Sequence, residues 1–452
     1  MIPSNSRRHF LWQFTAAWGA VSLAGCGGGS SASESTTPGG TQPIASAPPP
    51  PPSAPTPPAP PAPTPPAPTP PTPAPPPPAA PPPTSTPGPS IQSAPLPAAI
   101  HPAWMQGQSL NVWFAIPGTI HAGSAAAPSD DPSDPYASSN RRLAYSGMGM
   151  RNCEIILAAN GGHQDYSGNE VTSLDLSQDT PAWVLRSAAS APSAVSMNEP
   201  YYSDGKPSAR HTYWSTIWSP QQNRLMLHYT RFVWGSGVSF GNSNGFNLDT
   251  NTWDAQGTWG TSNYTGGCAD AQGNVYAIGM GYFSLNKWTA STGVWGTVAV
   301  YEEAINFNPV VFDPTRGHLF ALAWGDGQGD GTGLNAIRIA GTTKTNITFN
   351  PSAALTQFKS DQPIYSAMEY DPVNDQYLFY EGGAGRTGRV YVVKPNSTAV
   401  WDLSILSLGA GSVLPDAAVG AGVFNRFKYV PALRGFVLMS SGTSNVYFMR
   451  TA

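Results

Sequence analysis

The chain reads as an all-β protein: a propeller of roughly six four-stranded blades, seven if the long loops hold another. Three observations lead there. One order of elements (apolar strand, tight glycine turn, alternating strand, tryptophan-bearing edge strand) recurs at a spacing of about 35 to 50 residues. The apolar runs after residue 100 are short, β-branched and aromatic, and Gly, Asn-Gly and Asp-Pro turns separate them, with no amphipathic helical pattern of useful length. The last unit lacks an outer strand, while an early segment, Asn111 to Gly118, has strand character and no partner of its own. Adding that segment to the last unit closes the ring and leaves few free edges. A β-sandwich is the competing fold, but its strand count does not produce this unit length.

Each unit can be justified in order. The first has a glycine-containing inner strand, Leu143 to Met150, then the apolar run Ile155 to Ala159 and the pair Gly161-Gly162. The alternating segment Val171 to Leu176 and Trp183 follow. The second starts at Arg210-His211-Thr212-Tyr213, continues through Arg224 to Tyr229 and Gly245 to Asp249, and closes at Trp253. The third runs from Asn274 to Trp288 or Trp295. The fourth holds Val310 to Pro314, His318 to Leu322 and Asn335 to Ile339. The fifth holds Ala367 to Pro372, Gln376 to Tyr380, Gly382-Gly383, Arg389 to Val393 and Trp401. The sixth has Asn425 to Tyr429, Gly435 to Met439 and Asn445 to Met449.

The pattern Gly161-Gly162, Tyr166, Trp183, with its looser copy Gly382-Gly383, Tyr391, Trp401, resembles the kelch repeat. The segment Pro207 to Tyr213 resembles the start of a kelch blade. The resemblance spans about residues 105–452 and implies a propeller related to the central domain of galactose-oxidase-like proteins; one fold hosts many functions. The copper sites of such oxidases use a cysteine-linked tyrosine and an adjacent Tyr-His pair. This chain has no Tyr-His dipeptide; His228-Tyr229 runs in the opposite order.

The amino end reads as an address. Arg7-Arg8 ahead of an apolar stretch resembles the twin-arginine export signal, and Leu23-Ala24-Gly25-Cys26 resembles a bacterial lipobox, with Cys26 as the lipidated residue. The apolar run is about 15 residues, short of the roughly 20 that a spanning helix needs. Position 27 is Gly rather than the Asp that retains many lipoproteins at the inner membrane, so the expected destination is the outer membrane, facing the periplasm or the exterior. Residues 1–26 are thus the expected signal, 27–98 a stalk and 99–452 the propeller. The stalk is nearly all Pro, Ala, Thr and Ser; it has too little apolar side chain to build a core and favours extended polyproline II.

Charged residues make up only 11 % of the chain and the net charge is −4, so no nucleic-acid surface is expected. Ligands of propellers bind over the axis, on the face that carries the loops between second and third strands. That rule selects His163, Asp165, Tyr166, Asn169 and Glu170 of the first unit, and Arg231 and Trp234 of the second. It also selects Trp324 of the fourth unit and Glu381 and Arg386 of the fifth. Arg210 and His211 stand at an inner-strand start near the same mouth. Aromatic faces with charged groups suit a sugar ring. Arg210, His211 and Glu170 are better suited to hydrogen bonding between blades, as polar residues near buried glycine turns often are. The loop Gly325 to Gly331 offers Asp326 and Asp330 to calcium, but it lacks the terminal bidentate Glu of an EF-type loop. No zinc spacing, Walker loop, dinucleotide fingerprint or Gly-x-Ser-x-Gly elbow occurs, and no cofactor is expected. Cys153 and Cys268 are compatible with a disulfide or with free thiols. The expected role is a lipid-anchored envelope module binding a glycan or a protein. The alternative is a carbohydrate-modifying enzyme, oxidase- or epimerase-like, using the same face.

Overall fold

The computed structural model describes residues 95–128, 139–235, 242–260, 264, 266–278, 284–301, 309–325 and 333–452. Cys26, the expected export signal, the Pro-rich segment up to residue 94, and Asp326 and Asp330 lie outside the described residues. Strand β1 is Trp113–Ala115. Blade 1 is β2 (Gly149–Arg151), β3 (Glu154–Ala158), β4 (Val171–Asp175) and β5 (Trp183–Ser187). Blade 2 is β6 (Thr216–Ser219), β7 (Arg224–Leu227), β8 (Asn244–Asn247) and β9 (Thr252–Trp253). Blade 3 is β10 (Gly266–Ala269), β11 (Val275–Ile278), β12 (Ser284–Thr289) and β13 (Val294–Val300). Blade 4 is β14 (Val310–Asp313), β15 (His318–Trp324), β16 (Leu334–Ala340) and β17 (Thr343–Asn346). Blade 5 follows β18 (Thr348–Phe349) and helix α1 (Ala353–Asp361) with β19 (Ala367–Asp371), β20 (Gln376–Tyr380), β21 (Val390–Lys394) and β22 (Val400–Ile405). Blade 6 is β23 (Phe427–Val430), β24 (Gly435–Leu438) and β25 (Tyr447–Arg450).

These strands form six antiparallel sheets, and β1 pairs with β25 as the outer strand of blade 6, in the register Trp113 with Met449 and Ala115 with Tyr447. The ring is closed as the unpartnered early segment predicts. Blade 5 gains a fifth strand because β18 runs parallel to β22.

The apolar core is split into layers between neighbouring blades. A strand buried on both faces sends alternate side chains to opposite sides. In β3, Ile155 and Leu157 therefore pack against Val437 and Phe448 of blade 6, whereas Ile156 and Ala158 pack against Leu225 and Phe246 of blade 2. This double burial is why the middle strands read as unbroken apolar runs. The tryptophans Trp183, Trp253, Trp295 and Trp401 all stand on fourth strands. Trp183 also donates its indole N–H to the Thr119 carbonyl at 2.8 Å, tying blade 1 to the segment after β1.

Two expectations need correction. The inner strand of blade 1 is confined to Gly149–Arg151, because Arg141–Leu143 is a 3-10 turn and Tyr145 has φ +47°, which no strand tolerates. A helix also occurs where none is predicted: α1 is capped by the Ser352 hydroxyl, which accepts from the Leu355 N–H at 3.0 Å, and it buries Ala354 and Phe358. Cys153 and Cys268 are both free thiols.

Candidate ligand site at the loop face

The axis is filled rather than open. A hub of Tyr213, Trp214, Tyr229 and Phe424, flanked by Tyr145, Phe232 and Tyr365, occupies its loop-face end. Polar bonds cross the axis beneath it. The Trp214 indole donates to the Ser366 carbonyl at 2.7 Å, joining blades 2 and 5, and the Asn425 amide donates to the Thr216 carbonyl at 3.1 Å, joining blades 6 and 2.

The site is built where the loop after β3 meets the entry to blade 2. Gly162 has φ +71°, and a Cβ there would stand 2.3 Å from the Arg210 Cα and 2.6 Å from the Phe232 carbonyl oxygen. That close approach lets the His163 N–H reach the carbonyls of Phe232 (3.1 Å) and Val233 (3.0 Å), while the Arg210 N–H bonds the Ala159 carbonyl at 2.9 Å. The zipped backbones bring three side chains together. One ligating atom each from His163, Asp165 and His211 lies within 4.8 Å of the other two. His211 Nε2 is 2.9 Å from Asp165 Oδ2, and His211 Nδ1 is 3.4 Å from the Tyr213 hydroxyl. Tyr145 stacks on the His211 ring with centroids 4.5 Å apart, and Phe232 flanks both imidazoles.

Burial pushes both imidazoles below their ordinary value, although Asp165 pulls each the other way, so His163 and His211 are neutral near pH 7. Pairing with Asp165 assigns the His211 proton to Nε2, which donates to the carboxylate and leaves Nδ1 to accept from Tyr213. Burial first, and then the Asp165 charge, raises the Tyr145 phenol, which therefore stays protonated. The His–Asp pair can exchange a proton with a bound molecule, and the three donors can converge on a cation.

Backbone strain gathers at the same place. Tyr145, His163, Tyr213, Phe232, Tyr365 and Phe424 all have φ between +42° and +51°. Non-glycine residues seldom adopt this region, and each instance costs on the order of 1–3 kcal/mol.

The other candidate residues divide. Arg231 lies over the Phe232 ring at 5.4 Å, and its Nε has no hydrogen-bond partner among the described residues. Tyr166 is buried and donates to Glu170 at 2.9 Å; Glu170 lies 3.3 Å from the Arg142 guanidinium. Asn169 bonds the Pro207 carbonyl at 2.8 Å. Arg210 is fully buried, donating to Asn244 at 2.8 Å and to the carbonyls of Ser208 and Pro200, so it braces the wall behind the site. Burial alone lowers it to about 10, which leaves it charged. Trp234 is buried and its backbone N–H bonds Ala209. Trp324 ends β15 and is buried. Glu381 pairs with Arg386 at 2.7 Å, and Arg386 also donates to the Asp361 carbonyl at the end of α1. The last pair thus forms a cluster of its own.

A separate cleft of about 510 Å³ opens at the opposite ends of blades 4 and 5, lined by Arg316, His318, Arg338, Asn396 and Ser397. It belongs to the face of the β14–β15 and β21–β22 turns, away from the His–Asp cluster. Arg316 is already held there by Asp313 at 2.9 Å and Asp375 at 2.6 Å. Nothing in the sequence marks this cleft, because Arg316 comes from the β14–β15 turn and Arg338 from β16, without any shared motif.

No protein-family model matches the chain, and no curated protein matches it in sequence. Solved structures do match. One is a fungal alcohol oxidase with catalytic diversity among the AA5 family, in complex with copper, which is 14 % identical with a TM-score of 0.38. The match covers 60 % of this chain and 53 % of that one, so the chain spans about half the oxidase's length. The six-bladed propeller rests on the strand ladders themselves.

Proposed function

We propose that this chain is an exported, lipid-anchored envelope module that binds a glycan at the loop-face end of its propeller axis. The observation that carries the reading is the crowding of left-handed non-glycine residues at the cluster of His163, Asp165 and His211: His163 itself and five neighbours. Strain of that kind persists only where surrounding structure over-determines it, and it gathers at binding and catalytic sites. The half-buried rings of Tyr145, Phe232 and Tyr365 offer apolar faces to a sugar, and His163, Asp165 and Arg231 offer polar groups at the rim. The lipobox-like Cys26 and the Pro-rich stalk support display from a membrane.

A glycan array with the purified mature chain, followed by calorimetry on each hit, tests the reading. Arg231→Ala and Phe232→Ala are each expected to weaken binding about tenfold or more, as loss of a charged hydrogen bond or an aromatic face does. Binding that neither change affects puts the ligand elsewhere, and an array without hits favours an envelope protein as partner. Cys26→Ala should release the protein from membranes.

The enzyme reading draws on one observation, the 2.9 Å His211–Asp165 pair, which is suited to proton transfer. Turnover of the bound sugar that is abolished by Asp165→Asn would establish it.

A further inference from the structure

His163 and Asp165 from the loop after β3, and His211 from the entry to blade 2, offer two imidazoles and one carboxylate. We propose that these three residues form a binding site for a divalent transition metal of the zinc type, with a coordination position open at the loop face. The site is independent of the glycan reading, since it needs only the three donors.

The donor set comes first. Two histidines and one carboxylate, plus an open position, is the composition of zinc sites that do chemistry rather than brace a fold. Magnesium and calcium require shells made mainly of oxygen, and a single carboxylate does not supply one.

The second layer fits as well. Metal-bound histidines usually engage the ring nitrogen that does not face the metal. His211 does so through Nδ1, 3.4 Å from the Tyr213 hydroxyl. That hydroxyl can accept as well as donate. When a cation takes His211 Nε2, the ring proton moves to Nδ1 and Tyr213 becomes its acceptor, while Asp165 Oδ2 is freed for the metal. One phenol thus supports both tautomers. The stacked Tyr145 ring fixes the plane of His211 in either state.

The distances ask for a small closure. Tetrahedral ligands at about 2.1 Å from a cation are roughly 3.4 Å apart. The three donors here lie within 4.8 Å of one another. Asp165 is 35 % exposed and His163 is half-buried, so rotation of these two side chains narrows the gap while buried His211 stays fixed. The His163 backbone is held by its bonds to blade 2, which limits the motion to side-chain torsions.

The test uses the mature full-length chain, stripped with a chelator and titrated with Zn²⁺ by calorimetry and with Co²⁺ by visible absorption. One equivalent should bind with micromolar or tighter affinity, and the Co²⁺ adduct should show the intense d–d bands of a four- or five-coordinate ion. His163→Ala should weaken binding a hundredfold or more. Asp165→Asn, which keeps size and shape, should weaken it at least tenfold, with an unchanged circular dichroism spectrum showing that the fold survives. Less than a fifth of an equivalent bound, or wild-type affinity in both variants, overturns the proposal. Because no sugar is present, the result stands whatever the array shows.

Discussion

Gly162 shows how much one missing methyl group decides. Its backbone passes between the Arg210 backbone and the Phe232 carbonyl, with φ +71°. Alanine there adds roughly 1 to 2 kcal/mol for the left-handed conformation, and a backbone clash on top of it. Gly205 is the control: φ is +83°, but nothing lies within 4 Å of an added Cβ. Gly162→Ala is therefore expected to destabilise the protein by at least about 2 kcal/mol, and Gly205→Ala by about 1 kcal/mol, in urea titrations. Equal losses would mean that the packing against blade 2 contributes nothing. Residue-scale legibility was uneven. The glycine pair stood out in the sequence, and so did the unique insert His163 to Tyr166. His211 stood out too, as a residue at the same mouth, but its pairing with Asp165 did not, because the two lie 46 residues apart and only the zipped loops unite them.

At the scale of an element, β1 matters beyond its length. Trp113 is fully buried, meeting Tyr380 of blade 5 at 5.8 Å and Phe427 of blade 6 at 6.4 Å. Trp113→Ala should cost about 3–5 kcal/mol, the usual loss for a buried tryptophan, with the urea midpoint as readout. A loss below about 1 kcal/mol would show that the closing strand is dispensable. The repeat made the middle strands and β1 legible, because double burial produces apolar runs and an unpaired strand must find an edge. The inner strands were overestimated in blade 1, where Tyr145 turns the chain into a left-handed conformation just before β2. Helix α1 was hidden by its brevity: nine residues give too few turns for a periodic signal, and only Ser352 marks its start.

Across the whole molecule, three buried histidines share one behaviour. Burial, helped by Arg142, lowers His121 to about 2; burial alone lowers His228 to about 3; and burial lowers His318 to about 4 despite the nearby Asp313. Each folded value lies below the ordinary 6.5, so the unfolded chain takes up protons first as pH falls. Their stabilising effect is complete above about pH 6.5 and declines below it, by about 1.4 kcal/mol per pH unit for each histidine. Glu381 is held above its ordinary 4.5 by burial, so it takes up a proton while folded and offsets part of this loss near the acid end. The thermal midpoint should hold between pH 8 and 7 and drop steadily from 6.5 to 5. A flat profile over that range would contradict the neutral assignment. The fold class was readable at this scale because the unit repeats. The filled axis was not, since Trp214, Asn425 and Ser366 meet across it from three blades.

The seam has a mechanical meaning as well. Residues 97 to 116 hold blade 6 through successive bonds: the Pro97 carbonyl to Arg434, the Ile100 N–H to Ala432, the Asn111 N–H to Arg450 and the Ile116 N–H to Val446. A tensile load entering at residue 97 therefore falls first on the β23–β24 turn of blade 6. Before it reaches the β1–β25 ladder it also pulls on blade 1, where the Ala103 N–H donates to Asp179 at 2.7 Å and the Trp104 indole to the Leu176 carbonyl at 3.1 Å. Two further ladders, β25–β24 and β24–β23, separate β1 from Phe424 at the hub. Pulled from that end, the propeller would give up these clasps and its outermost strand with the aromatic hub still in place.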